Sequence, residues 1–306
     1  MIDLHIPDET SGLKEVVLGN PYNFGGTPAL ENTYDPKSRE HILSGTFPSQ
    51  QNIVKEMDYF NDILVNHGVK VHRPQDIPGL NQVFARDIGF VIDRSFIIPR
   101  IIEERERELE GISFLLDHID PAHQITVPEG AKIEGGDVLL ADKRIYVGYS
   151  GKSDFDKYKV ARTNEAGVSF LRESFKHREI IPIALKKSDT IARDNALHLD
   201  CCFQPVGRDM AIIHPESFKD TADLNCVLSH FSGENVFTVD REEMYQMNCN
   251  IFSLSPDIVV TDRRFTRLND WLTDKGFRLE LLNYYEIAKM EGLLRCSTLP
   301  LRRQTT

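Results

Sequence analysis

Apolar residues along this chain recur in pairs of short runs, with two to four polar or turn-forming residues between the two runs. This spacing is typical of β-hairpins. The pairs cover Ile88–Ile98 around Asp93-Arg94, Val138–Tyr146 around Asp142-Lys143, Cys201–His214 around Gly207-Arg208-Asp209, and Ile251–Thr261 around Ser255-Pro256-Asp257. The sequence therefore predicts four hairpins at wide, loosely regular intervals.

Helical patterns follow several of the hairpins, and each leads to a further short apolar run. Helices are predicted over Ile101–His118, Asn164–Lys176 and Arg263–Lys275, and strands after them over Gln124–Val127, Glu179–Ile183 and Arg278–Leu282. Gly276 is expected to cap the third helix. The chain opens with a related set, a strand over Glu15–Leu18, a helix over Gln51–Asn66 and a strand over Val69–His72.

The repeating unit is thus ββαβ, and about five units are present if Ser297–Leu301 completes the last one. Such units must bury their sheet faces against one another, which predicts an α/β fold with pseudo-symmetric packing around an axis. No Gly/Ser-rich or Pro-rich linker interrupts the pattern. We therefore expect residues 1–306 to form a single domain.

Composition narrows the class of partner. The formal net charge of −11 argues against nucleic-acid or anionic-membrane partners and favours a cationic small molecule. The N-terminus has no basic start, and no run approaches the roughly 18 apolar residues of a membrane span. The five cysteines are odd in number and lack CxxC spacing, so we expect reduced thiols in a cytoplasmic protein without a zinc site. These features permit either a monomer or a homo-oligomer.

Cys296 is the strongest candidate for chemistry, because a thiol with a histidine and carboxylates elsewhere in the chain is a nucleophile constellation. Gly292 is expected to give a flexible lead-in to the thiol. The neighbouring Arg295 cation is expected to lower its pKa. The apolar Leu299-Pro300-Leu301 that follows predicts a strand.

Three polar boxes accompany this cysteine, and each alone is more often a turn, a salt bridge or a hairpin entry. They are Phe84-Ala85-Arg86-Asp87, Glu134-Gly135-Gly136-Asp137 and His198-Leu199-Asp200. Alternation along a predicted strand places His198 and Asp200 on one face, which is expected only if that face lines a cavity. The adjacent Cys201-Cys202 is expected in the same buried strand, with one thiol on each side.

Several carboxylates around a thiol and an imidazole suit a guanidinium group, which offers five donors in a fixed fork. Two acids would hold the nitrogens and orient the central carbon for attack, and a histidine could protonate the departing amine. A cysteine protease is the obvious rival, but it has no use for several carboxylates converging on its substrate.

At these residues the chain resembles the guanidino-group-modifying enzymes, namely the arginine deiminases, dimethylarginine hydrolases and glycine/arginine amidinotransferases. Phe-Ala-Arg-Asp-Ile, Glu-Gly-Gly-Asp, His-Leu-Asp and Arg-Cys-Ser-Thr-Leu-Pro-Leu match in order across roughly residues 80–303. The resemblance implies the five-bladed α/β propeller (pentein) fold, in agreement with the repeats, and neither a metal nor an organic cofactor.

The resemblance also implies residue roles. Cys296 matches the nucleophile that forms a covalent amidino adduct, His198 matches the general acid and base, and Glu134 matches the acid that orients this histidine. Asp87 and Asp200 match the carboxylates that grip the guanidinium. The residues that fall where deiminases hold the substrate's α-carboxylate are Asn81, Arg105 and Arg162.

Two departures stand out from the family pattern. The stretch Gly151–Ala161 intervenes before Arg162, which questions the role of this arginine, and Asp87 stands where arginine dihydrolases tend to have asparagine. Hydrolysis of arginine or a related guanidine to citrulline and ammonia is the favoured reaction. Amidino transfer to an amine such as glycine, dihydrolase chemistry and non-catalytic binding stay open as alternatives, since a ribosome-associated translation factor uses this fold without catalysis.

Overall fold

The computed structural model describes residues 1–304. Within them the strands are β1 Gly12–Leu18, β2 Lys70–His72, β3 Phe90–Ile92, β4 Ser95–Ile98, β5 Gln124–Thr126, β6 Val138–Ala141, β7 Arg144–Tyr149, β8 Glu179–Ala184, β9 Phe203–Val206, β10 Met210–Ile213, β11 Val236–Thr238, β12 Phe252–Ser255, β13 Ile258–Asp262, β14 Arg278–Leu282 and β15 Thr298–Gln304. The α-helices are α1 Pro36–Leu43, α2 Gln50–Asn66, α3 Ser113–Leu116, α4 Lys152–Phe155, α5 Glu165–Ser174, α6 Thr221–Leu228, α7 Arg241–Tyr245, α8 Thr266–Asp274 and α9 Tyr285–Ala288. Short 3₁₀ helices cover Leu30–Asn32, Glu103–Ile112, Pro121–His123, Gly135–Asp137, Ala192–Asp194, Leu199–Cys201, Pro215–Ser217 and Gly233–Asn235.

The described strands form five three-stranded sheets. In four of them an antiparallel hairpin is followed, after a helical segment, by a third strand parallel to the second, in the orders β3-β4-β5, β6-β7-β8, β9-β10-β11 and β12-β13-β14. In the fifth, β15 pairs antiparallel with β1, and β1 pairs parallel with β2. Each sheet is thus one ββαβ blade, and the expected five-bladed α/β propeller is confirmed.

Turn residues set the hairpins where the sequence predicts them. Asp93, Asp142 and Gly207 follow the first strands of three hairpins with φ of 54°, 51° and 64°. This left-handed backbone matches the twist of paired strands, and Asp and Gly adopt it at low cost. Gly276 lies beyond α8 at φ 88°, in agreement with its predicted capping role.

The loops that enter the first strand of each blade converge, and together they position the polar residues of interest. Asp87 lies before β3, Glu134 before β6, His198 before β9, Asn250 before β12 and Cys296 before β15. All five residues are buried. The loop that enters each blade therefore contributes a polar side chain to a common centre.

The segment predicted as one helix over Ile101–His118 differs in the structure. It is a 3₁₀ helix over Glu103–Ile112 followed by the short α3. In a 3₁₀ helix the side chains at i and i+3 eclipse, which stacks Arg105 on Glu108, and both are buried. Pairing of this arginine inside the protein thus overrides the amphipathic α-helical pattern.

Three clusters of buried apolar side chains fill the spaces between the sheets and their helices. That the chain is a single domain stays a prediction. Over residues 1–304, no helix is both long and apolar enough to cross a membrane. All five cysteines are unpaired.

Candidate active site

A cavity of about 190 Å³ lies at the centre where the blade-entry loops converge. Six residues with predicted roles line it, namely Asn81, Asp87, Arg105, Arg162, His198 and Cys296. Glu134 and Asp200, which also have predicted roles, are wholly buried beside these residues. Segments far apart in the sequence therefore supply one site.

The Cys296 thiol lies two residues before β15 and is 3% exposed. Its Sγ is 3.1 Å from Nδ2 of Asn250, which donates to it, and 3.7 Å from Oδ2 of Asp200. Oδ1 of Asn250 accepts from the Cys296 backbone N–H at 3.0 Å. Asn250 thus hydrogen-bonds to both the side chain and the backbone of Cys296.

Burial raises the pKa of the Cys296 thiol well above its ordinary value, and the negative charges of Asp200 and Asp87 raise it further. The expected lowering by Arg295 is outweighed, because this guanidinium pairs with Glu9 at 2.9 Å and with Asp200 at 2.8 Å. Arg295 thus acts on the thiol pKa in the predicted direction, but it does not activate the thiol in the substrate-free protein.

Gly292 also differs from its predicted role. A Cβ at this position would come within 2.4 Å of the Phe84 ring. The glycine therefore permits close packing of the cysteine loop on Phe84, and its predicted flexibility stays a prediction.

His198 is held by Glu134, with Nε2 2.8 Å from Oε2, while Nδ1 lies 3.8 Å from Oδ1 of Asp87. Burial alone would lower the pKa of His198, but Asp87, the hydrogen bond to Glu134 and Asp137 outweigh it and raise the pKa. The imidazole is therefore stabilised in its protonated form, which suits it to donate a proton.

The Glu134 carboxylate is itself held by Arg162, whose Nη1 lies 3.2 Å from Oε2. Burial would raise the pKa of Glu134, but the Arg162 charge and the hydrogen bond to His198 lower it well below its usual range. Gly136 makes room for the histidine, since a Cβ there would come within 2.7 Å of the imidazole ring. This contact explains a glycine in the Glu-Gly-Gly-Asp box.

The strand predicted through His198 and Asp200 is wrong. His198 instead precedes a 3₁₀ turn over Leu199–Cys201, and β9 begins only at Phe203. The Leu199 backbone N–H donates to Oδ1 of Asp137 at 2.9 Å, so the Glu-Gly-Gly-Asp box pins this turn. Cys201 and Cys202 consequently lie in and after the turn, both buried, and not in a strand.

The Asp87 carboxylate receives Nη1 of Arg105 at 2.7 Å and the Gly136 backbone N–H at 3.0 Å. Arg105 also makes a two-point contact with Glu108, at 2.8 Å for each bond. Burial would lower the pKa of Arg105, but Glu108 and Asp87 raise it. Both acids next to this arginine are thus partly neutralised.

The Gly151–Ala161 stretch does not displace Arg162 from the site. It contains α4 and turns back through a bond from Ser150 N–H to the Thr163 carbonyl at 2.9 Å. Arg162 then donates from Nη2 to the Tyr34 carbonyl at 3.1 Å. Asn81 is also in the cavity wall, with its Oδ1 accepting from Val83 N–H at 3.1 Å.

Sequence reasoning missed Asn250, Asp35 and Glu291, of which the last two line the cavity. Asn250 had an available signal, since it lies in the loop that enters β12, as Asp87, Glu134 and His198 lie in the loops that enter their strands. Asp35 had none, because it lies in the long segment between β1 and α2, outside the repeating pattern.

Asp87, Glu134 and His198 each offer a ligand atom within 4.8 Å of the others, so these three could approach a metal ion. The two carboxylates already accept from Arg105 and Arg162, and the pKa of the imidazole is raised. A cation would have to displace two guanidinium groups and a proton. The set therefore suits proton transfer better than metal binding.

The family model described as "N,N dimethylarginine dimethylhydrolase, eukaryotic" matches residues 39–271, well over half of the chain. The chain belongs to the N,N dimethylarginine dimethylhydrolase family. The matched region of this dimethylhydrolase family includes Asp87, Glu134, His198 and Asp200, and it ends before Cys296.

The chain is also similar to curated proteins over most of its length. YkgA of Bacillus subtilis (strain 168), a protein without an assigned activity, is 25% identical over 297 residues, covering 96% of this chain and 94% of its own length. An arginine deiminase of Streptococcus agalactiae serotype V is 24% identical over 264 residues, covering 74% of this chain. The match spans 62% of that deiminase, so this chain corresponds to less than two thirds of it.

Solved structures show the same fold. An amidinotransferase of Microseira wollei in the saxitoxin biosynthetic pathway superposes with a TM-score of 0.76 at 19% identity, covering 99% of this chain and 98% of its own. The N-terminal domain of ArgZ, a cyanobacterial arginine dihydrolase, superposes with a TM-score of 0.78 at 18% identity, covering 94% and 98%. The expected membership of the guanidino-group-modifying enzymes is confirmed, and the individual reaction is left open by these relatives.

Proposed function

We propose that this member of the dimethylhydrolase family hydrolyses a C–N bond of arginine or an Nω-methylated arginine, through a covalent adduct on Cys296, to give citrulline and ammonia or a methylamine. The observation that carries the proposal is the convergence of the Cys296 thiol, the His198 imidazole and the Asp87 carboxylate on the wall of one cavity. We further propose that the protein works in the cytoplasm without a cofactor.

Binding of the substrate is expected to activate the nucleophile. Asp87 and Asp200 lie beside the thiol, and among residues 1–304 the polar contacts of Asp200 Oδ1 are to thiols, at 3.7 Å to Cys201 and 3.9 Å to Cys296. A guanidinium held by these carboxylates would cancel the negative charges that raise the thiol pKa. The thiol proton then passes to solvent, and the thiolate attacks the central carbon.

The first chemical step forms an S–C bond and breaks a C–N bond. The protonated His198 imidazole gives its proton to the departing nitrogen, which leaves as ammonia or a methylamine. Glu134 does not touch the substrate in this scheme, and Arg162 supports it from the cavity wall, where its predicted contact with the substrate's α-carboxylate stays a prediction. They position the imidazole and stabilise its charge.

The second step consumes water. The now neutral His198 accepts a proton from a water molecule, whose oxygen attacks the amidino carbon of the adduct. Breakage of the S–C bond regenerates the thiolate and leaves a carbonyl group on the former guanidine, which is citrulline when the substrate is arginine. The imidazolium returns, and the second proton of the water passes through solvent to the released amine. The thiolate takes back a proton from solvent when the product leaves, so the protons balance over the cycle.

Two comparisons support hydrolysis over transfer. The matching family model is named for a hydrolase of dimethylarginine, and the deiminase relatives are named for release of the imino nitrogen of arginine. The amidinotransferase and the dihydrolase share only the fold at their level of identity.

The test is mass spectrometry of the products after incubation with arginine or asymmetric dimethylarginine, each with and without glycine. Citrulline formed without glycine supports the proposal, and the preferred substrate identifies the leaving amine. Ornithine with guanidinoacetate, formed only with glycine, would replace hydrolysis by transfer. Ornithine with two ammonia would indicate a dihydrolase. No product, together with no labelling of Cys296 by a haloacetamidine, would overturn the enzymatic role.

A further inference from the structure

The chain between β8 and His198 forms a loop that closes on itself. The backbone N–H of Ala196 donates to the carbonyl of Lys186 at 3.1 Å. The backbone N–H of Ser188 donates to Oδ1 of Asn195 at 3.2 Å. The two ends of this loop are therefore adjacent, and His198 lies two residues after the closing contact.

A buried lysine holds the backbone directly before the histidine. Nζ of Lys187 donates to the carbonyls of Ala196 and Leu197, at 2.7 Å for each bond. An ammonium group is costly to bury, and two charge-assisted hydrogen bonds offset part of that cost. Lys187 is not among the described residues that line the cavity, so its contacts are with the loop that carries His198.

A buried acid holds the backbone directly after the histidine. Oδ1 of Asp137 accepts from the Leu199 N–H at 2.9 Å. Burial raises the pKa of Asp137 and lowers that of Lys187, and the opposite charge of each residue counteracts the shift of the other. The two buried charges thus stabilise each other, and together they fix the chain on both sides of His198.

The imidazole of His198 depends on this backbone for its alignment. Its Nε2 lies 2.8 Å from Oε2 of Glu134, and its Nδ1 lies 3.8 Å from Oδ1 of Asp87. A displacement of about 1 Å can misalign a reacting group and cost about 10²-fold in rate. The residues that hold the backbone beside the imidazole therefore bear on its proton transfer.

We propose that Lys187 is a positioning residue for the proposed hydrolysis, because its ammonium group fixes the backbone before His198 so that the imidazole can give its proton to the departing nitrogen. This inference rests on the proposed function. Lys187 acts through the backbone and does not contact the substrate. Its loss should slow the step in which the leaving nitrogen is protonated, and should leave substrate binding nearly unchanged.

The experiment measures kcat/KM of Lys187→Met with two substrates that differ in their leaving group. One is arginine, or methylated arginine if that is the better substrate, whose departing nitrogen needs the proton of His198. The other is the arginine analogue with a methylthio group in place of one terminal nitrogen, from which methanethiolate can leave without that proton. We expect a fall of about 10- to 100-fold for arginine, mainly through kcat, and of less than about 3-fold for the analogue.

An equal fall for both substrates would assign Lys187 a purely structural role and overturn the proposal. Lys186→Met is the matched control, because Lys186 is the neighbouring lysine and is exposed. This variant should keep wild-type rates with both substrates. If Lys187→Met does not fold, Lys187→Gln replaces it, and the same difference between the two substrates is expected.

Proton NMR separates this inference from the proposed reaction. The imidazole N–H of His198 that faces Glu134 should give a downfield signal, which is assigned by its loss in His198→Gln. Its exchange with solvent should be about 10-fold faster in Lys187→Met than in the wild type, because a looser loop opens more often. Faster exchange without turnover by the wild type would overturn the reaction and keep the positioning role. Unchanged exchange with normal turnover by the wild type would overturn the positioning role and keep the reaction.

Discussion

Two buried clusters of charge meet at Cys296, and they differ in what lies next to them. The axial cluster consists of Arg295, Glu9 and Asp200, and its arginine is fully buried with every one of these ion pairs at 2.8 to 2.9 Å. The cavity cluster consists of Arg105, Asp87 and Glu108 and forms part of the cavity wall. Of the two arginines, only Arg105 is in that wall.

This difference separates structural charge from functional charge. A closed cluster without solvent needs every partner, since a carboxylate left alone there has no water to replace the lost cation. A cluster at a cavity can exchange a partner for water or for substrate. We therefore expect changes at Arg295 or Glu9 to affect stability first, and changes around the cavity, or at Asp200 beside the Cys296 thiol, to affect activity first.

The largest effect is expected for Cys296→Ser, because a serine hydroxyl is a far weaker nucleophile than a thiolate at neutral pH. Turnover should fall by at least about 10⁴-fold, measured as citrulline formed. The free energy of unfolding in urea should change by less than about 1 kcal/mol. Normal turnover by the serine variant would remove Cys296 from the mechanism.

The next largest effect is expected in the free energy of unfolding, which should fall more when Arg295 is replaced than when Arg105 is replaced. Arg295→Met leaves Glu9 and Asp200 without their cation and should lower the free energy of unfolding by about 3–5 kcal/mol. Arg105→Met should cost about 1–2 kcal/mol, because water in the cavity can hydrate Asp87 and Glu108. Urea denaturation at neutral pH measures both losses. Equal losses would contradict the distinction between the clusters.

The cost of Arg295→Met should also depend on pH. Burial would raise the pKa of Glu9, but Arg295 and its neighbours outweigh this and lower it to about 2, from an ordinary value of 4.5. A carboxyl with a lowered folded-state pKa stabilises the protein above its unfolded pKa, and this contribution is lost as pH falls. The gap between wild type and variant should therefore narrow between about pH 5 and pH 2.

A smaller effect is expected for Glu134→Gln, which removes the carboxylate that orients His198. The rate should fall about 10- to 100-fold. The pKa of His198 should also fall, because one of the charges that raise it is gone. Since the protonated imidazole is the acid, activity should be lost at a lower pH than in the wild type, in a pH profile of kcat.

Glu15→Gln is the control for this variant. Oε1 of Glu15 contacts Nε2 of His72 at the same 2.8 Å, on β1 and β2 and away from the cavity. If the fall of kcat at alkaline pH shifts to lower pH equally in both variants, the change is not specific to His198.

The smallest effect is expected for Asn250→Ala. Loss of the contacts to Sγ and to the backbone of Cys296 should slow alkylation of the thiol and turnover by about 10-fold. Asn248→Ala, at a buried position two residues earlier, should leave both rates unchanged. Alkylation of the Asn250 variant at the wild-type rate would show that the reactivity of the thiol does not depend on the hydrogen bonds from Asn250.

The fold was largely predictable, because each blade repeats the same local pattern of hairpin, helix and strand. Arg278–Leu282 has its predicted bounds, and Gln51–Asn66 begins one residue early. The 3₁₀ segment over Glu103–Ile112 was not predictable in this way, since it depends on the burial of Arg105 against distant Asp87. Local periodicity does not report such long-range pairs.

The candidate site was predictable in its members more than in its geometry. The residues named from the motifs do converge, but His198 and Asp200 lie in a turn because Asp137, from another blade, holds the Leu199 backbone. Likewise, Arg295 forms an ion pair with Glu9, which is 286 positions away in the chain. These contacts exist only after folding, so the sequence did not indicate the state of the thiol. The proposed roles of these residues stay predictions.

The position of the reactive thiol depends on the pairing of β15 with β1, because Cys296 lies two residues before β15. The partner strand β1 lies near the other end of the sequence. The site is therefore completed only when the two distant parts of the chain pair. The other blades can form from neighbouring segments. Local opening of this one blade would separate the thiol from the histidine while the remaining blades stay folded. Loss of activity during gentle denaturation should therefore precede loss of most secondary structure.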